Sequence, residues 1–439
     1  MIPLLSPVRP DNGRRDALRK WTQNYWAENL PDLKPVEGHH LDGPFNRSAA
    51  VNLAAREAGE WDVAVVGDTD VVCDPAQLMA AIERARATGR CTLAYDTYIA
   101  LNEQMTARVL AGYDGNWLPG KALKMTSHVS SLVVVPRALW DEVGGFDERF
   151  VGWGHDDVAF AEACRVIGGG IERVPGTVWH LFHPHSPERK GGPDLRACSA
   201  LAKRYHAAVE PRRMRAIISE RSTTGVCVVV ITDGRRGCIS RSVPQALERL
   251  KGMPIQRVVI CDDSGDREYH AWLRVTFPDH DLVLSARRTG FAGNTLRAWE
   301  TALGSGQPWV FWLEDDFLLD RDVDLAAMAS VLEDNPQVAQ MALRRQAWFK
   351  PELDAGGIIE QDPDAYEDHD GWLEHRKFWT TNPHLIHRST LATYEWPNRA
   401  HSESAFARQI LKDRTSGYWG SRHDAPWVTH VGERAGTGY

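Results

Sequence analysis

One acidic constellation is written twice in this chain. Gly67-Asp68-Thr69-Asp70 and Leu313-Glu314-Asp315-Asp316 each close an apolar run. In each case a carboxylate opening a Phe-containing segment follows 87 positions after the last aspartate: Asp157-Val-Ala-Phe-Ala in the first half, Glu403-Ser-Ala-Phe-Ala in the second. A repeat of this length exceeds the roughly 20–50 residues of a solenoid unit and reads as a duplicated domain. The 439 residues leave room for two such domains, at about 100–200 residues each. The expected division is a first domain over 1–210, a linker over 211–224 and a second domain over 225–439.

Composition narrows the class. With 43% hydrophobic and 25% charged residues, both halves have the make-up of folded domains. A net charge of −8 leaves no basic domain for broad attraction to nucleic-acid phosphates. The seven cysteines are odd in number and contain no C-x-x-C pair, which argues against a disulfide framework or a thiolate zinc site and for a reducing compartment. No apolar stretch approaches the ~20 residues of a membrane span, and Met1-Ile-Pro-Leu-Leu-Ser-Pro lacks a basic leader region. A soluble, cytoplasmic protein is expected.

Apolar periodicity predicts strands over 2–8, 62–66 and 132–135 and helices over 14–28, 47–58 and 157–166, with Gly168-Gly169-Gly170 as a stop before a strand toward Trp179. Strands over 226–231, 257–261 and 309–313 and a helix over 293–303 restart the pattern, while the charged stretch 204–224 reads as a partly helical connector. Alternating strands and helices indicate an α/β fold with a mostly parallel, Rossmann-like sheet. Both acidic motifs then sit at the carboxyl ends of strands, where such sheets bind ligands.

Two carboxylates one residue apart at a strand end can face one hard cation, and Mg²⁺ or Mn²⁺ takes such oxygen ligands together with a diphosphate. A bare Asp-x-Asp is common as a solvated loop or a helix cap, so the surroundings carry the argument. Upstream lies Gly43-Pro-Phe-Asn-Arg-Ser-Ala-Ala-Val-Asn52. Downstream lie Phe150-Val-Gly-Trp-Gly-His-Asp-Asp157 and Val178-Trp-His-Leu-Phe-His183.

In these motifs and their order, residues 2–185 resemble the GT-A-fold glycosyltransferases, in particular inverting family 2 enzymes and their chondroitin-polymerase and galactosaminyltransferase relatives. The resemblance implies nucleotide-sugar contacts from Pro7, Arg9, Arg47, Asn52 and Asp68. It implies metal ligation by Asp70 and His180, with His183 as a substitute, and acceptor binding by Trp153 and Asp156. Asp157 would be the catalytic base, and 189–192 (Arg-Lys-Gly-Gly) a lid on the diphosphate. His155 stands where relatives often carry glycine. Without the family, Trp153 would be a core aromatic, Asp157 a helix cap and the histidines structural.

The second half resembles the same superfamily more loosely. There the resemblance implies nucleotide-sugar contacts from Asp262, Asn294 and Glu314, metal ligation by Asp316 and His430, and Glu403 as base. It departs in Glu-Asp-Asp for Asp-x-Asp and in lacking Trp-Gly before Glu403. The expected function is a Mn²⁺- or Mg²⁺-dependent glycosyltransferase with two GT-A domains, moving sugars from nucleotide-sugar donors to hydroxyl acceptors. Several alternatives stay open: catalysis by the first domain alone, with the second holding acceptor or nucleotide; a hydroxymethylated DNA base or a protein side chain as acceptor; or a non-catalytic glycan- or nucleotide-binding module. A sugar-nucleotide pyrophosphorylase would need a Gly-rich phosphate loop that residues 2–13 do not supply.

Overall fold

The computed structural model describes residues 1–41, 43–112, 128–152, 154–184, 193–221 and 225–432. The chain divides into two compact units, Met1–Arg221 and Ser222–Tyr439.

The first unit runs β1 Ile2–Val8, α1 Arg14–Asn29, β2 Leu33–His39, α2 Arg47–Glu57, β3 Val63–Gly67, β4 Val71–Cys73, α3 Pro75–Thr88, β5 Cys91–Leu93, β6 Thr97–Ala100, α4 Glu103–Leu110, β7 Leu132–Pro136, α5 Arg137–Val143, α6 Asp156–Ile167, β8 Ile171–Arg173, β9 Thr177–His180, α7 Pro193–Ala207 and α8 Pro211–Ser219. Its main sheet has the order β2-β1-β3-β7-β5-β8. β1 is parallel to β2 and β3, β7 is antiparallel to β3 and β5, and β8 is parallel to β5. Every residue of β3 and β7 is buried, as befits central strands covered on both faces. Gly67 ends β3 where a Cβ would stand 2.6 Å from Leu4 Cδ1, so the strand delivering Asp68 must finish without a side chain.

The second unit runs β10 Val226–Thr232, α9 Arg236–Arg249, β11 Leu250–Lys251, β12 Ile255–Asp262, α10 Arg267–Thr276, β13 Asp281–Leu284, α11 Gly290–Leu303, β14 Trp309–Glu314, β15 Phe317–Leu319, β16 Val323–Asp324, α12 Leu325–Asp334, β17 Val338–Leu343, α13 Lys350–Ala355, β18 Tyr366–His369, β19 Trp372–His375, β20 His384–His387, α14 Arg388–Thr393, α15 Ser402–Ile410, β21 Thr415–Trp419 and β22 Val428–His430. Its nine-stranded sheet contains the run β12-β10-β14-β20-β17-β21. That run repeats the six-strand order of the first unit with the same senses throughout. β13 extends one edge, and the β18–β19 hairpin extends the other.

The recurrence reaches the register of the small accessory sheets. β4 pairs with β9 so that Val71 opposes His180, and β15 pairs with β22 so that Phe317 opposes His430. In both units the residue just after the acidic motif therefore lies across from the late histidine.

The expected linker needs correction. Residues 211–219 form α8, whose Met214 and Ile217 are buried in the first unit's core, and Arg221 donates to the Val143 carbonyl at 2.7 Å. An apolar pair at helical spacing was hidden by the charged residues around it. Among the described residues, no helix is long and apolar enough to cross a membrane.

Candidate active site

In the first unit Asp70, the second of the strand-end acids, meets the two late histidines. The β4–β9 pairing and a 2.8 Å bond from Leu181 N to the Asp70 carbonyl fix the backbones. His183 Nε2 then lies 3.0 Å from Asp70 Oδ2, and His180 Nε2 lies 3.6 Å from Oδ1. His183 Nδ1 faces the Pro184 carbonyl at 2.8 Å and Arg15 Nη2 at 3.5 Å, and a proton kept on Nδ1 would free Nε2 to offer its lone pair to an ion between it and Asp70. Burial works to raise the Asp70 carboxyl, but His180, the His183 hydrogen bond and Arg15 together hold it below its ordinary value. The bond to Asp70 raises His183 against its burial. One ligand atom from each of Asp70, His180 and His183 falls within 4.8 Å of the others. A carboxylate and two imidazoles that can give up their protons fit a divalent cation.

A second group forms around Arg47, the first residue of α2. Its Nη2 is 2.8 Å from Asp68 Oδ1, and its Nη1 is 3.0 Å from Asp156 Oδ2. Arg47, expected on the nucleotide, thus joins the acidic motif to the start of α6. Burial favours its neutral form, yet Asp68, Asp156 and Asp157 raise its pKa further. Asp157 follows on α6, where burial and then Asp156 push its carboxyl up. It also accepts a bond from Val158 N at 2.8 Å.

The turn into α6 is tight. Gly152 and Gly154 have φ of 81° and 108°, and His155, the N-cap, sits in the left-handed region at 72°. His155 Nε2 is 3.0 Å from Ser199 Oγ. The second unit shares the left-handed cap, with His401 at 54° capping the helix that carries Glu403.

Other expected residues divide. Pro7 and Arg9 lie at the carboxyl end of β1, Arg9 exposed. Asn52 engages both amide groups within the protein: its Nδ2 donates to Phe146 O and Glu148 Oε1, and its Oδ1 accepts from Phe146 N, each at 2.9 Å. It brackets the segment before α6. Trp153 and residues 189–192 lie outside the described residues. Sequence reading missed Tyr98 and His128. Their rings are 4.3 Å apart, and Tyr98 also lies 6.0 Å from His180. The parallel pairing of β6 with β9 brings Tyr98 there, a contact with no local signal.

The second unit corrects more. Asp262 is fully buried and accepts from Ser264 Oγ at 2.6 Å while facing His270 Nε2 at 2.9 Å, so it does not face a ligand. Asn294, also fully buried, donates to the carbonyls of Thr232 and Cys261 and ties β10 to β12. Glu314 and Glu403 share Thr381. Glu403 Oε1 accepts from Thr381 N at 3.0 Å, and burial raises both carboxyls. His430 Nε2 lies 3.2 Å from Asp316 Oδ2, but Arg235 Nη1 is already 2.5 Å from that same oxygen. The expected Asp316–His430 metal pair thus carries a fixed positive charge and does not fit a divalent ion.

Residues 119–186 match the family model described as the N-terminal domain of galactosyltransferase. The match falls within the first unit. That segment includes Asp156, Asp157, His180 and His183, and it leaves Asp68 and Asp70 outside. Among solved structures, GalNAc-T7 with UDP, GalNAc and Mn²⁺ is similar at 10% identity and a TM-score of 0.37, over 51% of this chain and 50% of that one. S. aureus TarS is similar at 10% identity and 0.33, over 47% and 37%. The catalytic domain of Drosophila β1,4-galactosyltransferase 7 with xylobiose is similar at 14% identity and 0.30, over 43% and 77%. The chain thus spans about half or less of the first two chains. No curated protein matches it.

Proposed function

We propose that the chain is a metal-dependent glycosyltransferase whose first unit moves a sugar from a nucleotide-sugar donor to a hydroxyl of a glycan acceptor. The observation that carries this reading is the convergence of Asp70, His180 and His183 at a strand end, two of them inside the galactosyltransferase-type segment. Asp70, His180 and His183 would hold the ion, and imidazole ligands favour Mn²⁺ over Mg²⁺, which prefers oxygen. When bound, the ion supplies charge compensation for a diphosphate leaving group.

The chain's own residues do the rest. Asp157, raised by burial and by Asp156, has the basicity to take the acceptor's hydroxyl proton. The freed oxygen forms its bond to the anomeric carbon as the bond to the diphosphate breaks, with inversion. Arg47 holds Asp68 and Asp156 in one geometry, which fixes the acids flanking the donor. Trp153 would stack on the acceptor sugar. The repeated strand order supports reading the chain as tandem GT-A domains, and seven free cysteines fit a reducing cytoplasm.

The test is Mn²⁺-stimulated hydrolysis across UDP-galactose, UDP-N-acetylgalactosamine and other nucleotide-sugars. Stimulation with at least one donor, lost in Asp70→Ala, is expected. Absence of stimulation with every donor, or its survival in Asp70→Ala, would overturn the reading.

A further inference from the structure

The two units repeat the strand-end acids but not what faces them. In each unit a helix follows the first strand of the main sheet, α1 with Gly13 as its N-cap and α9 with Arg235 as its N-cap. Gly13 has no side chain to project. Arg235 projects a guanidinium into the acids of its own unit: Nη1 is 2.5 Å from Asp316 Oδ2, Nη2 bonds Asp315 Oδ1, and Nε is 2.9 Å from Asp233 Oδ1. Thr232 Oγ1 adds a 2.6 Å bond to Asp315 Oδ2. Asp315 is fully buried and Asp316 nearly so, and the one guanidinium bonds both while a third of the Arg235 side chain stays exposed.

The contrast with the first unit is chemical. Asp70 is answered by two imidazoles, each able to offer a lone pair to an ion, while Arg15 reaches His183 Nδ1 at 3.5 Å and acts on Asp70 from behind that ring. Asp316 is answered by one imidazole and a guanidinium, which has no lone pair to give and does not deprotonate in proteins. A divalent ion on Asp316 would have to displace Arg235 and leave it beside a like charge.

We propose that Arg235 is the resident counter-ion of the second acidic motif, so that of the two acidic motifs one takes a divalent cation, at Asp70, and the other takes none at Asp316. A ligand bound at the second acidic motif is therefore held there without a divalent ion. The inference rests on the reading of Asp70 as the cation site only for its count of one.

Titration of the full chain with Mn²⁺, following free ion by electron paramagnetic resonance, tests it. The expected stoichiometry is one Mn²⁺ per chain for the wild type and for Asp316→Ala, none for Asp70→Ala, and two for Arg235→Gly, which copies the cap of α1. Arg235→Gln, uncharged and too short to reach either aspartate as the Nη atoms do, serves if the glycine variant fails to fold. Two Mn²⁺ in the wild type, one of them lost in Asp316→Ala, would overturn the proposal. So would a folded Arg235 variant that gains none. A wild type that binds no Mn²⁺ would defeat the first-unit reading, and a site gained in Arg235→Gly would still support this one.

Discussion

Arg47 and Asp156 are joined by a 3.0 Å ion pair, and the other side of the same guanidinium rests on Asp68 at 2.8 Å. All three side chains are largely shielded, at 18%, 12% and 27% exposure. Removing the arginine would leave two carboxylates facing each other without a partner. Losing one member of a buried pair costs about 3–5 kcal/mol, and partial exposure reduces that toward about 2. Arg47→Met should therefore lower the melting temperature by about 4–8 °C, since about 1 kcal/mol corresponds to roughly 2–4 °C at this domain size. Calorimetry on the full chain reads it, and an unchanged first transition would show the pair to be energetically idle.

His183 should matter to Mn²⁺ affinity at least as much as His180, because its Nε2 approaches Asp70 more closely and its Nδ1 is oriented by the Pro184 carbonyl. His183→Ala should weaken Mn²⁺ binding by at least tenfold in calorimetric titration. Equal binding by the variant and the wild type would leave His180 as the only imidazole ligand.

Asp157→Asn should separate binding from turnover. The amide keeps the shape of the side chain and cannot take a proton, so donor affinity should stay within a few-fold while transfer falls by about 10²–10⁴. Transfer at the wild-type rate would reduce Asp157 to a residue of the α6 start, bonded to Val158 N.

The second unit should lose stability in mild acid. His375 and His384 are 3% and 1% exposed, and burial pushes both down to about 4. Their folded pKa values lie below the unfolded value of about 6.5, so the unfolded chain binds protons that the folded chain refuses as pH falls from about 6.5 toward 4. The contribution is fully present above about 6.5 and declines by about 2 kcal/mol for each histidine on reaching pH 5. Urea midpoints at pH 7 and pH 5, read by fluorescence of Trp312 and Trp379, which flank His384, should show the drop. His384→Leu should remove about half of it.

Local signals in the sequence carry the element boundaries well. β1 and β7 read as apolar runs, and α6 shows its carboxylates followed by a glycine stop. α3 could also have been read, from Asp74 capping ahead of Pro75 and Gly89 closing in the left-handed region. Side-chain partnerships were less legible. Nothing near Asn294 says that its amide joins two strands, nor near Asn52 that it holds Phe146, because both depend on residues distant in sequence. Arg235 is the sharpest case. In sequence it is one arginine of an Arg-Arg pair, and only the β10–β14 register brings Asp315 and Asp316 within its reach.

The left-handed histidines bear on how this chain would respond to selection for heat tolerance. At φ of 72° and 54°, His155 and His401 hold a β-carbon in a region that costs an ordinary residue about 1–3 kcal/mol and glycine little. Saturation mutagenesis at 155 and 401 followed by thermal challenge should return glycine at both positions. Each such survivor would have lost the imidazole beside the carboxylate-bearing helix, so robustness and ring retention pull these two positions in opposite directions.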